Sequence, residues 1–444
     1  MKIVGLVTEY NPFHNGHKYH IEEAKRITGA EYAIAVMSGN FVQRGTPAII
    51  DKYTRAEMAL RNGIDLVLEL PVCYATGSAE FFARGAVSLL DKLGIIDTLC
   101  FGSEYGDIHM LKEAAAFLTK APASFDERIQ ELLKEGLTYP AARSSALQQS
   151  LEKENIADGQ ALSGVLSEPN NILGIEYMKA LIHLDSAIIP AAIKRKSAHY
   201  HDSNLAGTIQ NNENPSLLYS DEYLHDIDES MTISSATAIR KAIDSKMDNT
   251  SDYFEEMRHS VPGNVYDLLV KHYRKTYPVT EEDFAQIIKY KLLAEDQQTL
   301  TGYMDISKNL ADRMKNSDYN SSIFELAQNI KTKNLTLTRI NRAIIHLLLN
   351  IRKDTVNEYS NHGYAQYARV LGIKKESTHL IRSIETYGRI PIIQKVSKAE
   401  EQLDSIGKRM LSEDIFAAHL YNQAVFEKYD ASIPNEYKHG ICVV

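Results

Sequence analysis

Residues 3–17 constrain this chain more than any other stretch, because they oblige a buried strand to turn at once into a helix. Ile3-Val4-Gly5-Leu6-Val7 is a nearly continuous apolar run, as expected of a strand buried on both faces of a parallel sheet. Asn11-Pro12 breaks it, since proline has no N–H and restricts the residue before it. Beyond Gly16, Ile21, Ala24, Lys25 and Ile27 fall at helical spacing. A strand feeding a tight turn and a helix start gathers free N–H groups and a positive dipole end in one place. That place suits an anion. His14 and His17 stand there, able to donate hydrogen bonds to a phosphate that gains charge under in-line attack. Gly16 lets backbone approach a nucleotide where a Cβ would obstruct it. A metal cluster of His14, His17 and His20 would need a carboxylate or cysteine at ligand spacing, and three surface histidines at a helix start would need no ligand at all.

At 444 residues the chain is too long for one ordinary core, so two or three domains are expected. A net charge of -9 argues against a generally basic nucleic-acid binder and leaves room for a local basic face. No apolar run approaches the ~20 residues of a membrane helix, and the first residues pass straight into a strand without a signal peptide. Cys73, Cys100 and Cys442 are far apart and odd in number, which reads as buried thiols in a reducing compartment. A cytoplasmic protein that does not enter a membrane is the expectation.

Strands and helices alternate through the first third. Apolar runs at 32–37, 66–70 and 98–101 are separated by helical patterns at 52–61 and 79–93, which predicts βαβ units on a parallel sheet. Ligands of such sheets gather at the carboxyl ends of the strands. The breaks Ser38-Gly39-Asn40 and Gly102-Ser103-Glu104 therefore point to the crevice that holds His14 and His17. Residues 107–160 read as two or three amphipathic helices. Pro169-Asn170-Asn171 opens a further helix, which the asparagines could cap. A strand at 187–193 ends in Lys194-Arg195-Lys196, cations suited to ATP phosphates or RNA, or a solvated charge run. Ser234 or Ser235 can cap the next helix, whose first turns carry Thr237, Arg240 and Lys241. This is a second anion site, with Arg240 placed to clamp a pyrophosphate.

From about Asp252 strand-like runs give way to helical periodicity, which predicts an α/β, Rossmann-like parallel-sheet domain over 1–250 and an all-helical C-terminal domain over 251–444. Residues 331–444 carry 17 Lys and Arg against 12 Asp and Glu, on a chain that is acidic overall. Lys331, Lys333, Arg339 and Arg342 lie in a stretch with no acid between 331 and 353 and are the candidate RNA contacts.

The His14-x-Gly16-His17 pattern is also the signature of the nucleotidyltransferase and class I aminoacyl-tRNA synthetase superfamily. Val7 to His20, Gln43-Arg44-Gly45, Asp51 to Ala59, Pro169 to Tyr177 and Ile233 to Arg240 together resemble the bacterial tRNA(Met) cytidine acetate ligase family. The resemblance runs over most of the chain and is sharpest in the first 110 residues. It implies activation of acetate by ATP to acetyl-adenylate, then transfer of the acetyl group to N4 of the wobble cytidine of elongator tRNA(Met). It implies an ATP loop of Val7, Thr8, Glu9, Tyr10, Asn11, Pro12, Phe13, His14, Asn15, Gly16, His17 and His20. Gly102, Asn170 or Asn171, and Arg195 join it as nucleotide contacts; the wider superfamily implies that His14 and His17 are catalytic, and Mg²⁺ is expected to bridge the phosphates because it prefers a few carboxylates plus substrate oxygens. The rival readings are a nucleotidyltransferase with a small-molecule acceptor and an RNA-binding protein with a residual nucleotide site.

Overall fold

The computed structural model describes residues 1–135, 137, 139–153, 168–195, 236–245, 254–255 and 257–444. Among these residues ten strands form: β1 (Ile3–Thr8), β2 (Tyr32–Ser38), β3 (Phe41–Val42), β4 (Thr46–Pro47), β5 (Leu66–Leu70), β6 (Thr98–Ser103), β7 (Ile189–Lys194), β8 (Ala368–Ile373), β9 (Ile392–Ile393) and β10 (Cys442–Val443). Eight of them make one sheet in the order β10-β8-β5-β2-β1-β6-β7, with β9 against β8; β3 and β4 form a separate hairpin. The pairs β5-β2, β2-β1, β1-β6 and β6-β7 are parallel.

The central strands are apolar throughout because each packs helices on both faces. Ile3 of β1 and Ile34 and Val36 of β2 enter one core, and Val4, Leu6, Ala33 and Ala35 enter the other. The strand period of two thus divides a continuous apolar run between two helical layers. From β1 the chain builds outward through β2 and β5, then crosses back to place β6 on the other side of β1. That reversal opens a crevice at the carboxyl ends of β1 and β6.

The expected α/β fold forms, but the C-terminal half is not all-helical. β8, β9 and β10 all come from it and extend the same sheet, with β8 antiparallel to β5. Residues 368–373 lie between helices Lys353–Asn361 and His379–Tyr387, and a six-residue segment there that is apolar except for Arg369 cannot be told from another helical turn by periodicity. The exposed hydrogen-bonding edge of β5 decides the matter.

Arg369 interrupts that run for a reason outside its own segment. Its guanidinium meets Glu69 of β5 at 3.0 Å and also Glu436, while Lys52 bridges the same two carboxylates at 2.8 and 3.0 Å. All four side chains are buried. Burial pushes the Glu436 carboxyl upward, and Lys52 and Arg369 overcome it, holding the group well below its usual range. Arg369→Met leaves two buried carboxylates facing one lysine and is expected to destabilise the protein by about 3–5 kcal/mol, read as a lower urea midpoint. An unchanged midpoint would show that the quartet holds nothing together. Among the described residues no helix is long and apolar enough to cross a membrane.

Candidate nucleotide-binding site

A cavity of about 280 Å³ lies at the crevice, lined from β1 and its following turn by Val7, Thr8, Glu9, Tyr10, His14, Gly16, His17 and His20. The remaining loop residues face inward and hold the turn in place. Asn11 Oδ1 accepts from the Ile49 N–H at 2.9 Å, and Asn15 Nδ2 donates to the His259 carbonyl at 2.8 Å. Phe13 is fully buried, its ring 4.9 Å from Tyr10 and 5.5 Å from His17. Asn11, Pro12, Phe13 and Asn15 therefore support the cavity without lining it. A second support is Arg55, fully buried, whose guanidinium donates to the carbonyls of Glu9 at 2.6 Å, Ser38 and Ile50 at 3.0 Å, and Gly39. One cation thus fixes the ends of β1 and β2.

His14 precedes the helix Asn15–Thr28 and His17 occupies its first turn, with the two rings stacked 3.6 Å apart. The His14 backbone N–H donates to His17 Nδ1 at 3.2 Å, so the proton of the neutral His17 ring resides on Nε2. Burial, reinforced by Arg195 and Arg240, lowers His14 to about 3. Burial and then the neighbouring His14, His20 and Arg195 keep His17 low, and burial with Arg195 takes His20 to about 4. At neutral pH these are uncharged rings. They can donate to a phosphate without binding it so strongly in the ground state that catalysis is lost. His20 Nε2 is buried without a hydrogen-bond partner among the described residues.

The far wall comes from β6, β7 and two helix starts. Gly102 is the penultimate residue of β6, and a Cβ there would touch the side chain of Arg195 at 3.4 Å. Asn170 lines the cavity and donates to the Glu104 carboxylate, whereas Asn171 is turned away, its Oδ1 accepting from Ser103 Oγ at 2.6 Å. The helix phase thus separates two asparagines that the sequence left equivalent. Arg240 donates to the Asn11 carbonyl at 2.8 Å and to Thr237 Oγ1 at 3.1 Å, which seats the helix Ala236–Ser245 against the histidine turn. Ser234, Ser235 and Lys196 lie outside the described residues.

Gln43, Arg44, Phe82, Phe101 and Tyr177 also line the cavity and were not singled out as site residues from the sequence. The aromatic residues occupy ordinary core positions of a helix or strand, so no spacing marks them. The basic run 331–353 is partly spent inside the protein. Arg342 pairs with Asp305 at 2.7 Å, so the acid missing from the local sequence is supplied in space. Arg352 lies over the Tyr303 ring, and Lys353 donates to the carbonyls of Thr301 and Ile306. Lys331 and Lys333 are exposed and Arg339 is half-buried, all three outside the cavity lining.

Residues 1–212 and 219–435 match the HIGH Nucleotidyl Transferase family. A tRNA(Met) cytidine acetate ligase of Acetivibrio thermocellus is 37% identical over 423 residues, covering 95% of this chain and 94% of that protein. The chain belongs to the tRNA(Met) cytidine acetate ligase family. A ligase of the same name from Thermoanaerobacter sp. strain X514 is 38% identical, with 96% of each chain covered. The crystal structure of Thermotoga maritima TmcAL bound with alpha-thio ATP superimposes with a TM-score of 0.85 at 30% identity, over 100% of both chains. The apo form of that ligase superimposes with a TM-score of 0.87 at 29% identity.

Proposed function

We propose that this protein is an ATP-dependent tRNA(Met) cytidine acetate ligase acting in the cytoplasm. The observation that carries the reading is the convergence of two stacked neutral histidines, Arg195 and Arg240 on one cavity at the helix Asn15–Thr28. In the first step a carboxylate oxygen of acetate attacks the α-phosphorus of ATP, the bond to the bridging oxygen breaks, and pyrophosphate leaves. His14 and His17 donate to the α-phosphate as its charge builds. Arg195 and Arg240 face the departing phosphates, with the start of helix Ala236–Ser245 adding its dipole. In the second step the N4 amine of the wobble cytidine of elongator tRNA(Met) attacks the acetyl carbonyl, AMP leaves, and the amine loses a proton.

Mg²⁺ needs only one or two protein carboxylates when phosphate oxygens supply the rest. Glu9 lines the cavity and is the carboxylate that would hold such an ion there. Bound there it would neutralise phosphate charge. Nucleotide chemistry falls to residues 1–250, and RNA binding to residues 251–444 through Lys331, Lys333 and Arg339, with Arg342 turned to Asp305.

Acetate-dependent exchange of pyrophosphate into ATP tests the first step. Exchange that needs another acceptor would favour a small-molecule nucleotidyltransferase, and no exchange would favour an RNA binder. Arg240→Ala is expected to weaken ATP binding by about 10- to 100-fold, the scale of a charge-assisted contact, with AMP binding little changed. Equal loss for both nucleotides would assign Arg240 to holding the Asn11 turn alone.

A further inference from the structure

Two cavity residues, Gln43 and Arg44, come from neither a sheet-strand end nor a helix start. They form the tip of the β3-β4 hairpin, and that tip is clamped on both sides. The Gln43 N–H donates to Glu9 Oε1 at 2.8 Å, and the Gly45 N–H closes the turn on the Val42 carbonyl at 2.9 Å. Gly45 has a φ of 76°, and a Cβ there would lie 2.2 Å from the backbone nitrogen of Arg342. Below the tip, Phe41 packs against Phe284 and Tyr421. The hairpin therefore bridges the histidine turn and the helix Leu337–Leu348, whose first turn carries Arg339.

Charge then indicates what the tip can hold. Arg195 and Arg240 both act on His14, where the α-phosphate would be attacked. Arg44 is largely buried with Glu9 and Arg240 as its charged neighbours, and the next residue, Gly45, abuts the backbone of the helix that carries Arg339. A phosphate or carboxylate placed on Arg44 would face the Glu9 carboxylate beside it. A neutral group with two adjacent acceptors meets no such repulsion, and the guanidinium fork and the Gln43 amide can donate to it. Cytosine offers N3 and O2 in that arrangement while leaving its N4 amine unengaged. Uracil presents an N3–H, which would oppose a donor.

We infer that Gln43 and Arg44 read the N3 and O2 edge of the acceptor cytidine and present its N4 to the activated acetyl group. This rests on the ligase reading. Recognition of an unstacked base by its Watson–Crick edge is the usual route to sequence specificity in single-stranded RNA.

The test uses the full chain and two anticodon stem-loops of elongator tRNA(Met), one with C and one with U at the acceptor position, at fixed salt. The wild type is expected to bind the C form tighter by about 10- to 100-fold, the range for a well-formed bidentate base contact. Arg44→Ala and Gln43→Ala should bring that ratio toward one. Arg44→Lys keeps the charge without the fork and should lose the preference too; a retained ratio with Lys would mark a phosphate contact and overturn the inference. It is equally overturned if Arg44→Ala raises the KM for acetate while leaving the C-to-U binding ratio unchanged. A wild type that acetylates tRNA but binds both stem-loops equally refutes the hairpin reading alone. A wild type with no acetate-dependent exchange refutes the ligase reading beneath it.

Discussion

Alanine in place of His14 or His17 is expected to slow acetyl-adenylate formation by about 10²–10³-fold, or ~2.7–4 kcal/mol in barrier, the cost of removing one oxyanion donor. ATP affinity should change far less. The reason lies in the charge of the rings. Burial and the nearby Arg195 and Arg240 hold His14 near 3, so it meets ATP as a neutral donor and gains most when the α-phosphate becomes crowded and more negative. Acetate-dependent exchange and direct ATP binding, measured on the same preparations, separate the two effects. Exchange should also show no inflection at the ordinary imidazole pKa of about 6.5 that traces to these rings. Variants with near-wild-type exchange would remove both histidines from the chemistry.

The second large effect concerns the other half of the protein. Lys331→Glu combined with Arg339→Glu is expected to abolish tRNA acetylation while sparing adenylate formation. Arg342 is a poor choice for this experiment, because its bond to Asp305 ties it to the packing of the helix Leu337–Leu348. Lys331 is exposed, and Arg339, in the first turn of that helix, is half-buried. For every phosphate that the variant no longer neutralises, the slope of log affinity against log salt should fall by about 0.7–0.9. A double variant that acetylates tRNA with an unaltered slope would move the RNA path to the cation run Lys194-Arg195-Lys196.

What the sequence revealed depended on how locally each feature was determined. The turn from β1 to His17 was legible because its strand, its proline break and its helix are contiguous. Arg195 was legible for a related reason: it follows the end of β7, where a parallel sheet gathers its ligands, and Arg240 falls in the opening turns of a helical run that begins after serines able to cap it. Asn170 and Asn171 could not be told apart, since only the rotation of one helix sends the first to the cavity and the second to Ser103. Arg55 was hidden more deeply. In sequence it is one charge on an amphipathic helix, and only the converging carbonyls of Glu9, Ser38 and Gly39 give it a role. β8 was missed because its partner strand lies some three hundred residues earlier, and the charged residue that spoiled its apolar run has its two carboxylates there and near residue 436.

That strand also sets how far the two activities can be taken apart. A nucleotide-binding fragment cut near residue 250 would lose β8 from the open edge of β5 and would keep Glu69 and Lys52 without Arg369 or Glu436. Redirecting the enzyme to another RNA by exchanging its C-terminal half is then a different task from joining two modules. The graft must return a strand, an arginine and a glutamate to the donor sheet before its new specificity can matter.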